Sequence, residues 1–387
     1  MVLRGTNQEK TRPYNRRIVL ECIRNGGHRT RGDIAERVGL TVQTVSTIVR
    51  ELADQGYLLS VRGAAKGRGL PATTLHLNPD GGYAIGLSVT PLGVDAALMN
   101  LAGDILGSAE RTCPKPSANQ AFALIEELVG EMRTLRPDGR FLGVGLAIPG
   151  PFDVKAMSFV GPTTLDGWDS VPIRPRLEEV SKLPSFIAVD TVTAALGVRL
   201  YGEGATIAQF YYLHLGVGLG GTMVQDGVPQ RGAWGNAGEI GHIPMVPGGL
   251  LCPCGNAGCL ERYLSLDSFF NRPSGQSQAE WVRGIAPVFH DAIRTIENLF
   301  DPQTIVVGGI APDELITALV ATTDRLPTSI SSRYDRTTAR VTASLGHQSV
   351  LRGAAALAVS GVLSPRLDPA TSPDRGKRDP FSNGMAA

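Results

Sequence analysis

The sequence contains no long hydrophobic run. Nowhere in its 387 residues do about 20 apolar residues follow one another, the length that a helix needs to cross a bilayer. The first seventeen residues, MVLRGTNQEKTRPYNRR, also lack the apolar core that a secretory signal requires. With 42% hydrophobic and 19% charged residues, the composition is that of a globular protein rather than a disordered one. We therefore expect a cytoplasmic protein without a membrane partner, folded into two or three packed units.

Net charge is also nearly absent, at +1, but this value hides an asymmetry. Residues 1–82 carry thirteen Lys/Arg against seven Asp/Glu, a net of +6, and the remainder carries 24 against 29, a net of −5. A basic head on a mildly acidic body is typical of a nucleic-acid-binding module attached to a domain with another task. The alternative is an ordinary solvated charged surface.

The N-terminal segment has the pattern of a helix-turn-helix. A first helix is predicted from Asn15 to the Asn-Gly-Gly of residues 25–27, a second over Arg31–Val38, and a third from its N-cap Thr41 to about Gln55. The apolar residues predicted to face the core are Ile18, Val19, Cys22 and Ile23 in the first helix, Ile34, Ala35 and Val38 in the second, and Val42, Val45, Ile48, Val49 and Leu52 in the third.

The remaining face of the third helix is polar. It carries Gln43, Thr44, Ser46, Thr47 and Arg50, whose side chains can hydrogen-bond base edges or phosphates in a major groove. Exposed helix faces are usually polar in any protein. Here the helix lengths, the turn and the polar face coincide with the basic charge, which favours DNA contact.

A basic hairpin follows the three helices. Tyr57–Val61 and Thr73–Leu77 are predicted to pair as strands, with RGAAKGRGLP between them. Arg62, Lys66 and Arg68 lie among its glycines, and such a loop is a wing suited to phosphates or to a narrow minor groove. The alternative is a solvated basic turn.

The body alternates strand and helix patterns, which predicts an α/β fold with crossover helices. The predicted strands are Ala84–Val89, Val94–Met99, Phe141–Ala147, Phe186–Val189, Tyr211–Leu215, Thr222–Gln225 and Thr304–Val307, and the predicted helices are Asn119–Leu135, Thr191–Leu200, Gln278–Phe300, Pro312–Thr323 and Val350–Leu363. The domain boundaries we infer are 1–82 for the winged helix-turn-helix, 83–200 for a first lobe completed by the helix at 350–363, 201–349 for a second lobe, and 364–387 for a disordered tail rich in Pro, Asp, Arg, Ser and Gly.

The sequence has only five cysteines, and three of them are clustered. His242, Cys252, Cys254 and Cys259 have the spacing H-x9-C-x-C-x4-C, a closed set of four ligands that predicts a structural zinc site rather than a catalytic one. The site would clamp the irregular loop of residues 244–258. A reactive thiol is the alternative. The isolated Cys22 and Cys113 are expected to be small buried hydrophobes.

Several of these motifs occur together in one known family. The segments AIPGPFD, GVGLGG, AGEIGH, CPCGNAGCLE and DPQTIVVGG resemble the ROK family of repressors and bacterial sugar kinases, and RGTNQEK, the helix-turn-helix and the GRGLP of the wing resemble its repressor branch. The resemblance covers residues from about 4 to 363. It implies a two-lobed α/β fold of the actin and hexokinase type, with a sugar in the cleft between the lobes.

The resemblance also implies which residues contact a sugar. Glu239, His242 and Glu261 fall where the family places contacts to sugar hydroxyls, and Asp190 falls on the catalytic base of the kinases. The alternatives are that Glu239 caps the following turn and that Asp190 caps the helix after it.

The same comparison implies that kinase activity is lost. Ser88 replaces the aspartate of the first phosphate loop and Pro91-Leu92 occupies its flexible turn, while Val217 replaces a threonine of the second loop. Val189 and Thr164 replace two asparagines of the sugar site. Phosphoryl transfer needs charged and metal-positioning groups that these positions do not supply, so Asp190 is a vestigial base and the protein is expected not to be an enzyme.

The resulting hypothesis is a DNA-binding transcriptional regulator, a repressor of carbohydrate-related genes. It would bind a palindromic operator in double-stranded DNA as a homodimer or homotetramer and respond to a sugar or sugar derivative in the cleft. The alternatives are an active sugar kinase with an N-terminal extension, a zinc-responsive sensor, and a repressor controlled by a protein partner.

Overall fold

The computed structural model describes residues 12–24, 30–62, 73–153, 158–159, 165, 167–168, 171–333, 338–346 and 348–363. The head contains three helices and a hairpin: α1 (Arg12–Arg24), α2 (Arg31–Val38), α3 (Val42–Asp54), β1 (Leu58–Arg62) and β2 (Thr73–Leu77). These are the predicted elements, with bounds shifted by three residues at most. The predicted tail and the wing residues Lys66 and Arg68 lie outside the described residues, as does the side chain of Arg62.

Local chemistry explains where the helices of the head begin and end. Thr30 and Asp33 form a capping box at the start of α2, and Gly39 ends that helix in the left-handed conformation at φ 65°. The side chain of Thr41 accepts a hydrogen bond from the amide of Thr44 and caps α3. The turn between α2 and α3 is therefore fixed at both ends.

One residue of α3 departs from the prediction. Val45, Ile48, Val49 and Leu52 are buried, but Val42 is 54% exposed. Placing Val42 on the buried face was wrong, because the buried face of α3 begins only at Val45.

The first lobe is built on a five-stranded sheet in the order β5-β4-β3-β6-β9. Its strands and helices are β3 (Tyr83–Thr90), β4 (Gly93–Asn100), β5 (Ile105–Thr112), α4 (Ala118–Thr134), β6 (Phe141–Ile148), the small hairpin β7 (Phe152–Asp153) and β8 (Ser158–Phe159), α5 (Ile173–Ser181), β9 (Ser185–Val189) and α6 (Asp190–Tyr201).

The second lobe has a sheet in the order β12-β11-β10-β13-β14. Its elements are β10 (Gln209–Leu215), β11 (Leu219–Gln225), β12 (Val228–Pro229), α7 (Leu266–Phe270), α8 (Gln278–Phe300), β13 (Thr304–Gly309), α9 (Asp313–Ala321) and β14 (Val341–Ala343), followed by α10 (Gln348–Leu363). The chain then returns to the first lobe, because α10 packs on α6, β3 and β6. A side chain at Gly353 would lie 1.7 Å from the backbone oxygen of Thr193, so α10 and α6 touch backbone to backbone.

The head is attached to the first lobe by direct contacts. The guanidinium group of Arg140 in the first lobe donates to the backbone oxygen of Gln55 in the head at 3.0 Å. The hydrophobic core of the head also continues into the first lobe, through residues such as Ala84 and Leu357. In the part of the chain that the structure describes, no helix is both long and apolar enough to span a bilayer.

Candidate functional site

The four predicted metal ligands lie together in the second lobe. The ligand atoms of His242, Cys252, Cys254 and Cys259 are all within 4.8 Å of one another. Cys252 Sγ lies 3.6 Å from His242 Nδ1, and Cys254 Sγ lies 3.6 Å from Cys259 Sγ. Four ligands at about 2.3 Å around a tetrahedral zinc ion would be separated by about 3.8 Å, so the donor set and its spacing fit such an ion.

The loop that carries these residues is shaped by backbone contacts. The amides of Met245 and Val246 both donate to the oxygen of Gly258, and the amide of Cys252 donates to the oxygen of Asn256. Gly258 has φ 79°, and a side chain on it would lie 1.8 Å from the oxygen of Val246. Only glycine fits there, which brings Cys259 back beside His242.

The thiol of Cys254 has a lowered pKa, which favours its deprotonated form. The backbone amide of Asn256 is the main cause that lowers the pKa of Cys254 to about 7, whereas burial raises the pKa of Cys259 to about 12. A bound cation would favour the thiolate form of all three sulfur atoms.

His242 connects this cluster to a cleft between the two lobes. Its Nδ1 faces Cys252, and its Nε2 lies 3.9 Å from Glu239 Oε2. A histidine that binds a metal through Nδ1 keeps a proton on Nε2, which points to the cleft side.

The cleft has a volume of about 780 Å³. Four of the five residues predicted to contact a sugar line it, namely Asp190, Glu239, His242 and Glu261. The fifth, Thr164, lies outside the described residues. Further along the wall are Thr90, Pro91, Lys115, Val189, Val217 and Cys254.

Asp190 is the first residue of α6 and faces a histidine that sequence reasoning missed. One carboxylate oxygen accepts the amide of Thr191 at 2.7 Å, and the other lies 3.7 Å from His214 Nε2. Burial raises the pKa of Asp190, which His214 partly offsets, and burial lowers the pKa of His214. The alternative that Asp190 caps the helix is wrong, because Val189 occupies the N-cap and Asp190 is the first residue inside the helix. The signal for His214 was a single polar residue in the apolar strand pattern of β10.

The two glutamates of the cleft have different surroundings. Glu261 Oε2 accepts the amide of Leu219 at 3.0 Å and so ties the end of the metal loop to the GVGLGG segment. Glu239 makes no side-chain hydrogen bond to the short turn that follows it, so the capping alternative is wrong. Burial raises the pKa of Glu239, and the charges of Asp190 and Glu261 raise it further against the effect of His242.

The predicted first phosphate loop is a closed turn between β3 and β4. Ser88 is buried in β3, and the hydroxyl of Thr90 accepts the amide of Leu92 at 3.1 Å. The amide of Lys115 donates to the oxygen of Pro91 at 2.8 Å, which holds the turn from the other side.

The polar face of α3 is available to a ligand, but its hydroxyl groups are partly engaged. Gln43, Thr47 and Arg50 are exposed, and Thr44 and Ser46 are half-buried. The hydroxyl of Thr44 lies 2.8 Å from that of Thr41, and the hydroxyl of Thr47 donates to the oxygen of Gln43 at 3.1 Å.

Comparison with known proteins gives matches to both parts of the chain. A family model described as ROK family matches residues 85–360, and one described as winged helix-turn-helix DNA-binding matches residues 12–58. The chain is 31% identical over 268 residues to a xylose repressor of Caldicellulosiruptor bescii, a match that covers 67% of this chain and 65% of the repressor. A glucokinase of Halalkalibacterium halodurans is 34% identical over 190 residues, which cover 47% of this chain and 56% of the enzyme.

Solved structures give the same fold. A ROK family transcriptional regulator, described as a homologue of the Escherichia coli Mlc protein, matches with a TM-score of 0.74 at 21% identity and covers 92% of this chain and 98% of its own. A ROK family glucokinase from Streptomyces griseus, in complex with glucose and AMPPNP, has a TM-score of 0.59 at 27% identity and covers 72% of this chain and 100% of its own. The former likeness extends over the head, whereas the latter covers less of the chain.

Proposed function

Because the chain belongs to the ROK family, we propose that it is a sequence-specific DNA-binding transcriptional regulator, a repressor of carbohydrate-related genes, controlled by a sugar or sugar derivative in the cleft. The observation that carries this proposal is that one chain combines a winged helix-turn-helix with a cleft whose lining includes Asp190, Glu239, Glu261 and His242. The repressor-named relative and the regulator with the same fold support it.

In this proposal the carboxylates of the cleft recognise a sugar through its hydroxyl groups. Asp190, Glu239 and Glu261 accept hydrogen bonds from hydroxyl pairs, and His242 Nε2 donates one. His242, Cys252, Cys254 and Cys259 would hold a structural zinc ion, which supplies no reaction but fixes the loop beside Glu239 and Glu261.

Signal transmission runs along α6. This helix begins at Asp190 in the cleft, and its twelve residues span about 18 Å. Near the C-terminal end of α6, Arg199 donates a hydrogen bond to the oxygen of Ala205 at 2.9 Å. Its charge also interacts with those of Glu21 and Arg24 on α1. A sugar that binds two lobe arrangements unequally shifts α6, and the shift changes the position of the head.

Two such heads in a homodimer, or in a tetramer built from dimers, would bind the half-sites of a palindromic operator. A change in the position of each head alters the distance between the two recognition helices. Operator affinity then depends on whether the cleft is occupied.

We also propose that the cleft does not transfer phosphate. The buried hydroxyl of Ser88 and the closed turn at Pro91-Leu92 offer no carboxylate for a metal and no backbone donors for a nucleotide. Asp190 occupies the position of the catalytic base in the kinases, but the groups that would bind and polarise a phosphate donor beside it are missing.

The experiment is selection of bound DNA from a random library, repeated with a panel of pentoses, hexoses and aminosugars. We expect a palindromic site whose affinity changes with one sugar class. A coupled assay of ADP release with the same sugars supplies the opposite test, because brisk turnover would contradict the non-enzyme proposal. If no duplex is selected, the regulator proposal fails.

A further inference from the structure

The recognition helix α3 begins with Val42, an apolar residue that is not part of the hydrophobic core of the head. Within α3, all of which the structure describes, Val42 is the large apolar residue that solvent reaches, at 54% exposure. The four apolar residues that hold the helix to α1 and α2 are each at most 4% exposed; these are Val45, Ile48, Val49 and Leu52.

Helix formation does not require a valine at this position. The N-cap is supplied by Thr41, and a β-branched residue is a weaker helix former than alanine. An exposed valine on its own needs no explanation, since apolar atoms cover much of any protein surface. An exposed valine on a recognition helix does need one, because this part of the helix loses its water when the head binds a DNA duplex.

The side chains near Val42 limit which groups of a DNA base the helix can contact by hydrogen bonds. Gln43 and Arg50 supply hydrogen-bond donors to base edges, but the proton of the Thr47 hydroxyl is used within the helix by the oxygen of Gln43. The Thr44 hydroxyl pairs with that of Thr41. The first two turns of α3 are therefore poorer in free hydroxyl donors than the sequence indicates, which makes an apolar contact more important there.

We propose that Val42 is a specificity-determining residue that contacts the 5-methyl group of a thymine in each operator half-site. This inference rests on the proposed function. Helix-turn-helix proteins place the N-terminal residues of the recognition helix against base edges in the major groove. Among the groups exposed in that groove, the methyl group of thymine is the one that an aliphatic side chain recognises.

The test removes the methyl group from each partner separately. The operator from the selection is prepared with uracil in place of thymine, one symmetric pair of positions at a time, so that hydrogen bonding is unchanged. For the full-length wild-type protein we expect one pair at which uracil weakens binding roughly fourfold per methyl group lost. In the Val42→Ala variant the affinity for the thymine operator falls by a similar factor, and uracil at that pair costs nothing further.

Two controls make the result specific to this contact. Val42→Thr keeps the shape and one methyl group, so we expect an intermediate loss with partial sensitivity to uracil. Leu299→Ala truncates another exposed apolar side chain, 64% exposed in the second lobe, and should leave DNA binding unchanged. Melting temperatures of all variants should equal that of the wild type.

The possible results distinguish a failure of the Val42 contact from a failure of the proposed regulator function. If the protein binds its operator but uracil has no effect at any position, or if Val42→Ala keeps the full sensitivity to uracil, the contact is refuted while the regulator proposal stands. If no duplex binds, both fail together.

Discussion

The guanidinium group of Arg140 in the first lobe lies over the ring of Tyr57 in the head, 4.6 Å from the ring centroid. The same side chain donates to the oxygen of Gln55, which caps the C-terminal end of α3. A cation at this end of a helix also interacts favourably with the helix dipole. Arg140 thus connects the C-terminal end of α3 to the first lobe.

Arg140→Ala should loosen this junction. We expect a loss of about 1 kcal/mol in the free energy of unfolding from the cation–π contact, and weaker operator binding because the head is less well oriented. Calorimetry and DNA titration measure the two effects. Arg136→Ala, which removes a comparable contact with Tyr83 inside the first lobe, is the control and should leave operator affinity unchanged.

Arg199→Met should uncouple the cleft from the head. Arg199 is a residue of α6, and its charge interacts with Arg24 and Glu21 of α1. Burial lowers its pKa, and Arg24 lowers it further against the effect of Glu21. The variant keeps the aliphatic stem but loses the charge and the hydrogen bond. We expect the affinity for the sugar to change by less than about twofold. The sugar-induced change in operator affinity should shrink by at least about fivefold, which is the smallest factor typical of coupling between two sites. Arg283→Met on the exposed face of α8 is the control. An unchanged response in Arg199→Met would contradict transmission along α6.

Metal removal should damage the cleft together with the loop. Cys252→Ser, or treatment with a strong chelator, removes one ligand or the ion and releases the backbone contacts around Gly258. We expect about one zinc ion per chain to be lost, the melting temperature to fall, and the thermal shift caused by the sugar to disappear. Elemental analysis and thermal denaturation measure these. Cys113→Ser alters a cysteine outside the cluster and should change none of them.

The buried ion pair of the second lobe should be costly to break. Arg340 contacts both carboxylate oxygens of Glu297, at 2.9 and 2.6 Å, and Glu297 is fully buried. Glu297→Ala leaves the guanidinium without its carboxylate partner, and we expect a loss of about 3–5 kcal/mol in the free energy of unfolding. Asp291→Ala breaks an exposed pair with Arg294 on the same helix and should cost less than about 1 kcal/mol. Similar losses in both variants would show that burial does not govern the difference.

Strong local signals made much of this molecule predictable from sequence. The metal ligands have a fixed spacing, and α2 and α3 of the head have side-chain caps and an apolar period that tertiary packing does not override. α8 is bounded as predicted because Ser277 and Glu280 form a capping box at its start.

The features that were missed depend on packing across the fold. β5 is an edge strand with a half-buried polar pattern, and α5 follows Pro172 without a side-chain cap. The exposure of Val42 depends on how α1 and α2 pack on α3, and the pairing of His214 with Asp190 depends on the second sheet meeting the start of α6. No window of sequence contains either relationship.

The hydrophobic cluster that the head shares with the first lobe limits how the protein can be divided. In a body produced without residues 1–82, the apolar residues of this cluster that pack against the head would be exposed to water, and the exposed patch would promote self-association. Grafting this sensor onto another DNA-binding module therefore requires an adaptor that covers the same face, or polar replacements along it.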